Sequence, residues 1–385
     1  MTTVKPPGAP PAGRVLVVGG YGAVGTAVTS RLGGWFPGRV VPAGRDAERV
    51  RRLGGVRVDV GDPEGFRRVL DRLGDVAAVV LCVEPPDAEV ARVCLERGVH
   101  LVDVGATAGL LDAVAGLDPV AVGAGATAVL SVGVAPGLTN LLARRAHEAV
   151  GGARRIDLTL LFGTGEHHGT DALRWTLAGL SEPVRAAPRR VRLPGHGTRT
   201  AHPFPFSDQH TLPRTLGVPR VTTRLCLDSR PLTAALFAAR RAGLAGPLGR
   251  PAVPRRLARA LGRVRVGEDG FVVRVDAWGE GASLGSAASW GDGALRGNTA
   301  WRGDAAACDR AWWGDGDRHA AYALTGRGQS RVTGLVAAHA VRVLMDGALP
   351  PGVRHVEQLP PLAALPESLA GHGVRLLRLD EGGPR

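Results

Sequence analysis

Three glycines, Gly20, Gly22 and Gly25, stand at offsets 0, 2 and 5 where the apolar run "VLVV" gives way to the helical stretch "AVGTAVTSRL". A glycine at the first position permits a tight turn, one at the second lets the chain approach a pyrophosphate, and one at the third lets a helix lie close on the preceding strand. A helix that opens in such a loop offers unpaired N–H groups and the positive end of its dipole to phosphates. The segment Gly20, Tyr21, Gly22, Ala23, Val24 and Gly25 is therefore expected to hold a dinucleotide. Further on, "AGRD" places Arg45 and then Asp46 after the second apolar run. An acid there would bind the ribose 2′-OH of NAD, whereas an arginine accommodates the 2′-phosphate of NADP. Asp46 is also placed to cap the helix of "DAERVRRL". NADP, held by Arg45, is the expected cofactor, with a merely solvated Arg45 as the alternative.

The groups able to move a proton are few. Lys5 is the only lysine and lies in a Pro-rich tail, which argues against a Schiff-base lysine, a lysine general base and a Tyr-x-x-x-Lys site. Tyr21 and Tyr322 are the only phenols. His167 and His168 follow an apolar run in "GTGEHHGT", where glycines would let the backbone approach a ligand and imidazoles exchange protons near neutral pH. They are the expected proton donors, with a surface or structural role as the alternative. Asp103 ends the run "HLVDV", where open α/β sheets bind ligands. It is a second candidate, or else it caps a turn. Asp208-Gln209-His210 is a weaker third. His196, His202 and His210 match no common ligand spacing, so no metal is expected. Cys82, Cys94, Cys226 and Cys308 are far apart and form no CxxC pair. Free thiols in a reducing cytoplasm are expected, with Cys82 a buried small residue rather than a nucleophile.

These residues need a scaffold. "RVLVV", "RVVPA", "VRVDV", "VAAVVL", "HLVDV" and "TAVLSV" alternate with stretches of helical spacing. Continuous Val/Leu runs suit strands buried on both faces, so residues 14–151 are expected to form a doubly wound parallel sheet. Pro42 cannot donate within a central ladder and should sit at a strand end. After residue 151, "RRIDLTLLFG" and "GFVVRVDAWG" alternate as antiparallel strands with one wet face. A second α+β domain on a mixed or antiparallel sheet is expected over 152–329, with an irregular insertion at 280–318. Residues 1–13 read as a flexible tail, and "SRVTGLVAAHAVRVLMDG" as a late amphipathic helix opening a segment from 330 to 385.

The chain has 385 residues, 44% of them hydrophobic and 22% charged, a composition that folds without a partner. Its net charge of +13 is almost entirely arginine, spread along an Ala-, Gly- and Pro-rich sequence. That spread reads as compositional bias, so a nucleic-acid partner is not expected, although a basic surface attracts anionic ligands. Residues 113–138 are apolar, but Asp118-Pro119 and glycines interrupt them, so no membrane span is expected.

Taken together, "VLVVGGYGAVG", "AGRD", "VRVDVGD", "VVLCVEPP", "ARVCLERGVHLVDVGAT" and "GVAPGLTNLLA" resemble the saccharopine dehydrogenase-like NADP-dependent oxidoreductases. The likeness runs more faintly through "GEHHGTDALRWTLAGL" and "GQSRVTGLVAAHAVRVLMDG". The resemblance implies a Rossmann domain, a substrate and homodimerisation domain, and a C-terminal helix returning to the Rossmann domain. It also implies Asp59 and Val60 near the adenine, Cys82, Val83 and Pro85 near the cofactor after the fourth strand, and Pro136-Gly137 near the nicotinamide. The expected function is hydride transfer to or from a C=N or C=O carbon of a small amino-acid-like substrate. The alternative is an NADP-binding scaffold without turnover.

Overall fold

The structure, a computed structural model, describes residues 13–166, 170–182, 186–243, 267–280 and 318–379, with backbone alone at 170–174 and 177. Six early strands build the first sheet: β1 (Arg14–Val18), β2 (Val40–Gly44), β3 (Val56–Arg57), β4 (Val76–Leu81), β5 (His100–Asp103) and β6 (Thr127–Leu130). A seventh, β13 (Gly352–His355), joins from far along the chain. The order is β13-β6-β5-β4-β1-β2-β3, and each neighbouring pair is parallel. This is the Rossmann order with one added strand, and it reverses direction between β1 and β4.

Alternation within β1 shows why both faces must be covered. Leu16 and Val18 pack with Phe66, Val90, Leu101 and Leu111 beneath α3 (Pro63–Leu73), α4 (Glu89–Glu96), α5 (Ala108–Ala115) and α6 (Asp118–Ala124). Val15 and Val17 pack on the other side with Val28, Leu142 and Val336, which come from α1 (Ala23–Trp35), α7 (Thr139–Ala149) and α11 (Gln329–Met345). α1 and α11 lie close: a Cβ on Gly334 would stand 2.6 Å from Ala27 Cβ and 2.8 Å from the Val24 carbonyl.

Two sequence expectations fail in this sheet. Pro42 lies in the middle of β2, opposite Val17, not at its end. The bonds to β1 use the carbonyls of Arg39 and Ala43, which accept from Val15 and Gly19. In a parallel ladder Pro42 then faces β3, whose pairing covers only Ala43 and Gly44. The second failure is β3 itself, which keeps two residues of "VRVDV" for the same reason: β2 offers it little to pair with.

The second sheet contains β7 (Ala153–Phe162), β8 (Arg189–Leu193), β9 (Gly197–Pro203), β10 (Arg220–Leu227), β11 (Gly270–Gly279), β12 (Arg318–Arg327) and β14 (Arg375–Leu379). Its order is β14-β12-β11-β7-β10-β9-β8. β7 and β10 are parallel and the other pairs antiparallel, so the sheet is mixed. Helices α8 (Thr170–Ser181), α9 (Asp208–Thr215) and α10 (Arg230–Arg241) accompany it. The expected wet face is instead partly closed: Asp157 and Asp276 are buried on it. Asp157 pairs with Arg155, Arg189 and Arg224, and Asp276 with Arg274 and His319. Paired in this way, charges tolerate an environment that an isolated carboxylate would not.

The expected insertion joins β11 to β12, with Gly279 opposite Arg318 at its mouth, and residues 281–317 lie outside the described residues. The C-terminal segment departs from a simple return to the first sheet. β13 does pair there, but β14 pairs with β12 in the second sheet.

Candidate active site

In a parallel sheet all carboxyl ends share one edge, so the loops after β1, β4, β5 and β6 meet there. After β1 the chain turns through Gly19 and Gly20 into α1, whose N-terminus at Gly22 carries no side-chain cap. The first N–H groups of such a helix have no intrahelical partner. The glycines have separate reasons. A Cβ on Gly25 would lie 2.1 Å from the Gly19 carbonyl, so Gly25 lets α1 rest against the turn. A Cβ on Gly22 meets only that carbonyl, at 3.2 Å, and Gly22 and Ala23 are exposed. The open side of the loop is where a phosphate can approach. Tyr21 leans across Gly44 at the end of β2, where a Cβ would come within 2.4 Å of its ring, and its hydroxyl accepts from the Asp46 amide at 3.2 Å.

Asp46 is the N-cap of α2 (Ala47–Arg52): its Oδ1 accepts from the Glu48 and Arg49 amides at 3.1 Å each. Arg45 beside it is exposed, and among the described residues its side chain has no hydrogen bond or ion pair. Asp59 follows β3, exposed, and its carboxylate accepts from the Gly61 amide; Val60 packs partly into the core. After β4, Cys82 and Val83 are half-buried and Pro85 buried. Burial, reinforced by Asp103, pushes the Cys82 thiol up to about 12, so it stays a thiol.

Asp103 is buried at the end of β5. Its Oδ1 accepts from the Gly105 amide at 2.7 Å, so it does cap a turn. Its Oδ2 makes no hydrogen bond among the described residues. Burial, with the Glu84 charge adding to it, raises its pKa to about 6. The loop after β6 is anchored by the backbone: Gly137 has φ +134°, and its amide donates to Asn140 Oδ1 at 3.0 Å. Pro136 and Gly137 are buried, and Ala135 is the partly exposed residue of that turn.

His167 and His168 lie outside the described residues. Glu166, immediately before them, is placed: its carboxylate accepts from the Gln329 and Ser330 amides at 2.6 and 2.7 Å, capping α11. Gly334 of α11 meets the first turns of α1, and His339 meets Trp35 at its end, so the two helices run parallel and both N-termini face the cofactor edge. Gly163 and Gly165 of this loop have a packing role that the sequence did not announce. A Cβ on Gly163 would stand 2.1 Å from the Glu268 carbonyl, and one on Gly165 2.4 Å from that of Gly267. They admit the lead-in to β11.

A buried polar chain without a local signature in the sequence lies between the two sheets. Asn140 receives the Gly137 amide and the Thr139 hydroxyl, and Thr139 also donates to Asp208 Oδ1 at 3.1 Å. Asn140 Nδ2 donates to Thr211, and Thr215 donates to Glu357 Oε1 at 2.7 Å. Burial, with the Glu357 charge nearby, raises Asp208 to about 7. Next to this chain Ser131 Oγ and His355 Nδ1 share a bond of 2.8 Å. Among the described residues, no group of three metal-ligating side chains occurs, Cys82, Cys94 and Cys226 are free, and no helix is long and apolar enough to cross a membrane.

No protein-family model matches the chain. Among solved structures, it is similar to apo saccharopine dehydrogenase (L-Glu forming) from Saccharomyces cerevisiae, at 14% identity and TM-score 0.59, covering 96% of this chain and 100% of that one. It also matches an amine dehydrogenase from Mycobacterium smegmatis at 13% identity and TM-score 0.44, over 91% of this chain and 96% of that one. A probable dehydrogenase from Thermotoga maritima matches at 14% identity and TM-score 0.39, over 95% and 98%. At these identities the first likeness shows a shared fold, in agreement with the resemblance read from the sequence motifs.

Proposed function

We propose that this chain is an NADP-dependent oxidoreductase of the saccharopine dehydrogenase-like type, acting on a C=N or C=O carbon of a small amino-acid-like substrate. The observation that carries the reading is the division of labour at the end of β2: Asp46 is occupied as a helix cap while Arg45 stands exposed beside the glycine loop. The open side of Gly22 and the uncapped α1 N-terminus fit a pyrophosphate. Arg45 fits a 2′-phosphate, and Cys82, Val83 and the Ala135 turn line the path toward the nicotinamide end. When bound, the nicotinamide supplies the hydride chemistry. The protein's share is to orient both partners and handle the proton. Asp103 can hold that proton on Oδ2 at the cleft edge, and the His167-His168 segment begins where Glu166 binds α11.

Titration of NADPH and NADH against wild type and Arg45→Ala tests the cofactor reading. Wild type should prefer NADPH, and the variant should lose roughly 1.5 to 3 kcal/mol of NADPH binding with little change for NADH. Equal wild-type affinities would overturn the assignment. A panel of imines and keto acids then tests turnover; cofactor binding with no oxidation of NADPH on any member favours the scaffold reading.

A further inference from the structure

Away from the cofactor edge, a cavity of about 480 Å³ opens between α10 and the β8–β9 hairpin. That volume is of the size that holds small ligands. Its floor includes the stacked rings of His202 and Phe237, with centroids 4.2 Å apart. Its walls bring together four guanidinium groups from three elements: Arg190 on β8, Arg199 on β9, and Arg230 and Arg241 on α10.

Arginine is abundant in this chain, so abundance alone means little. Elsewhere in the same sheet, however, arginines meet carboxylates, as Arg155, Arg189 and Arg224 meet Asp157. None of the four pocket arginines has an ion pair among the described residues. Two hold backbone carbonyls, Arg199 that of His196 at 3.1 Å and Arg230 that of Thr198 at 3.1 Å. Such bonds fix a guanidinium without neutralising it. Burial first, and then the charges of Arg241 and of Arg240 next to it, hold His202 below the usual imidazole value. In sequence, residues 244–266 after α10 contain six arginines and no Asp or Glu.

We propose that this cavity is a second ligand site, separate from the dinucleotide site, that takes a small anion carrying adjacent phosphate groups. Guanidinium forks match phosphate oxygens in pairs. Four such forks around one cavity complement the charge of a diphosphate better than that of a single phosphate.

Inorganic pyrophosphate is the probe, titrated by calorimetry into the full chain with and without saturating NADPH. The expected result is saturation at one equivalent with NADPH bound, when the glycine loop is occupied, with inorganic phosphate binding at least tenfold more weakly. The double variant Arg190→Gln/Arg241→Gln removes two exposed groups that have no hydrogen bond among the described residues, so its fold should be intact. It should bind pyrophosphate at least tenfold more weakly and NADPH as wild type does. The imidazole resonance of His202 supplies an independent readout: its pKa should rise when pyrophosphate binds and also in Arg241→Gln. Failure to saturate with NADPH bound, or undiminished binding by the double variant in that state, would each overturn the proposal.

Discussion

Asp103 and Asp208 are both buried carboxyls with raised pKa values, yet they stand in different surroundings. Asp103 ends a strand at the cofactor edge and titrates near 6. If it exchanges the substrate proton, kcat/KM for reduction should fall as pH rises through about 6, because the donor must be protonated. Asp103→Asn should remove that limb and lower turnover by about 10² to 10⁴ while leaving NADPH affinity nearly unchanged; an unaltered pH profile in the variant would refute the role. Asp208 lies between the sheets and titrates near 7. It binds its proton more tightly folded than unfolded, so its contribution to stability is complete below about pH 4 and is lost as pH rises through about 7. Asn imitates the protonated form and keeps an acceptor for Thr139. The difference in unfolding free energy between Asp208→Asn and wild type, measured by denaturant unfolding, should therefore move in the variant's favour from about pH 5 to pH 8, by an amount on the order of a few kcal/mol at most. Asp103 was legible because its place follows from strand periodicity. The bond from Thr139 to Asp208 and the bond from Thr215 to Glu357 join residues remote in sequence, and no local pattern announces them.

At the scale of elements, the strand–glycine–helix unit was read from sequence because each glycine position carries its own geometric demand. The structure separates those demands, which makes them testable. Gly25→Ala forces a Cβ to within 2.1 Å of the Gly19 carbonyl, so α1 must shift and the fold should lose roughly 1 to 3 kcal/mol, measured by denaturant unfolding. Gly22 has φ −78°, which any residue adopts, and its Cβ has open space beyond one carbonyl. Gly22→Ala should therefore unfold near the wild-type midpoint yet bind NADPH at least tenfold more weakly; unimpaired binding would mean that the phosphates lie elsewhere. Composition misled where the partner of a segment decides its conformation. Gly163 and Gly165 accommodate the chain leading into β11, a contact remote in sequence. Pro42 looks like a strand end, but it faces the side of β2 that β3 barely pairs.

Across the whole molecule, the two sheets do not behave as beads on a string. One apolar core runs from Val15 and Val17 of β1, through Leu141, Leu142 and Ala146 of α7, to Leu158, Leu160 and Val275 of the second sheet. The C-terminal segment binds both halves, since α11 lies on α1, β13 completes the first sheet and β14 extends the second. The alternating strands and helices revealed two architectures in the sequence, but not that a shared helix and a returning chain would merge their cores. Domains joined by a small polar interface move and melt separately, whereas a large apolar interface couples them. Unfolding should accordingly be a single transition with coincident curves from far-UV circular dichroism and tryptophan fluorescence. NADPH at a hundred times its Kd should raise the stability of the whole chain by about 2.7 kcal/mol, although the glycine loop proposed to hold it belongs to the first sheet. Hydrogen exchange under conditions where β7 and β11 open by global unfolding reads this directly: their amides should gain as much protection on NADPH addition as those of β1 and β4. Protection confined to the first sheet, or a second transition that NADPH leaves in place, would show that the shared core does not couple the two halves.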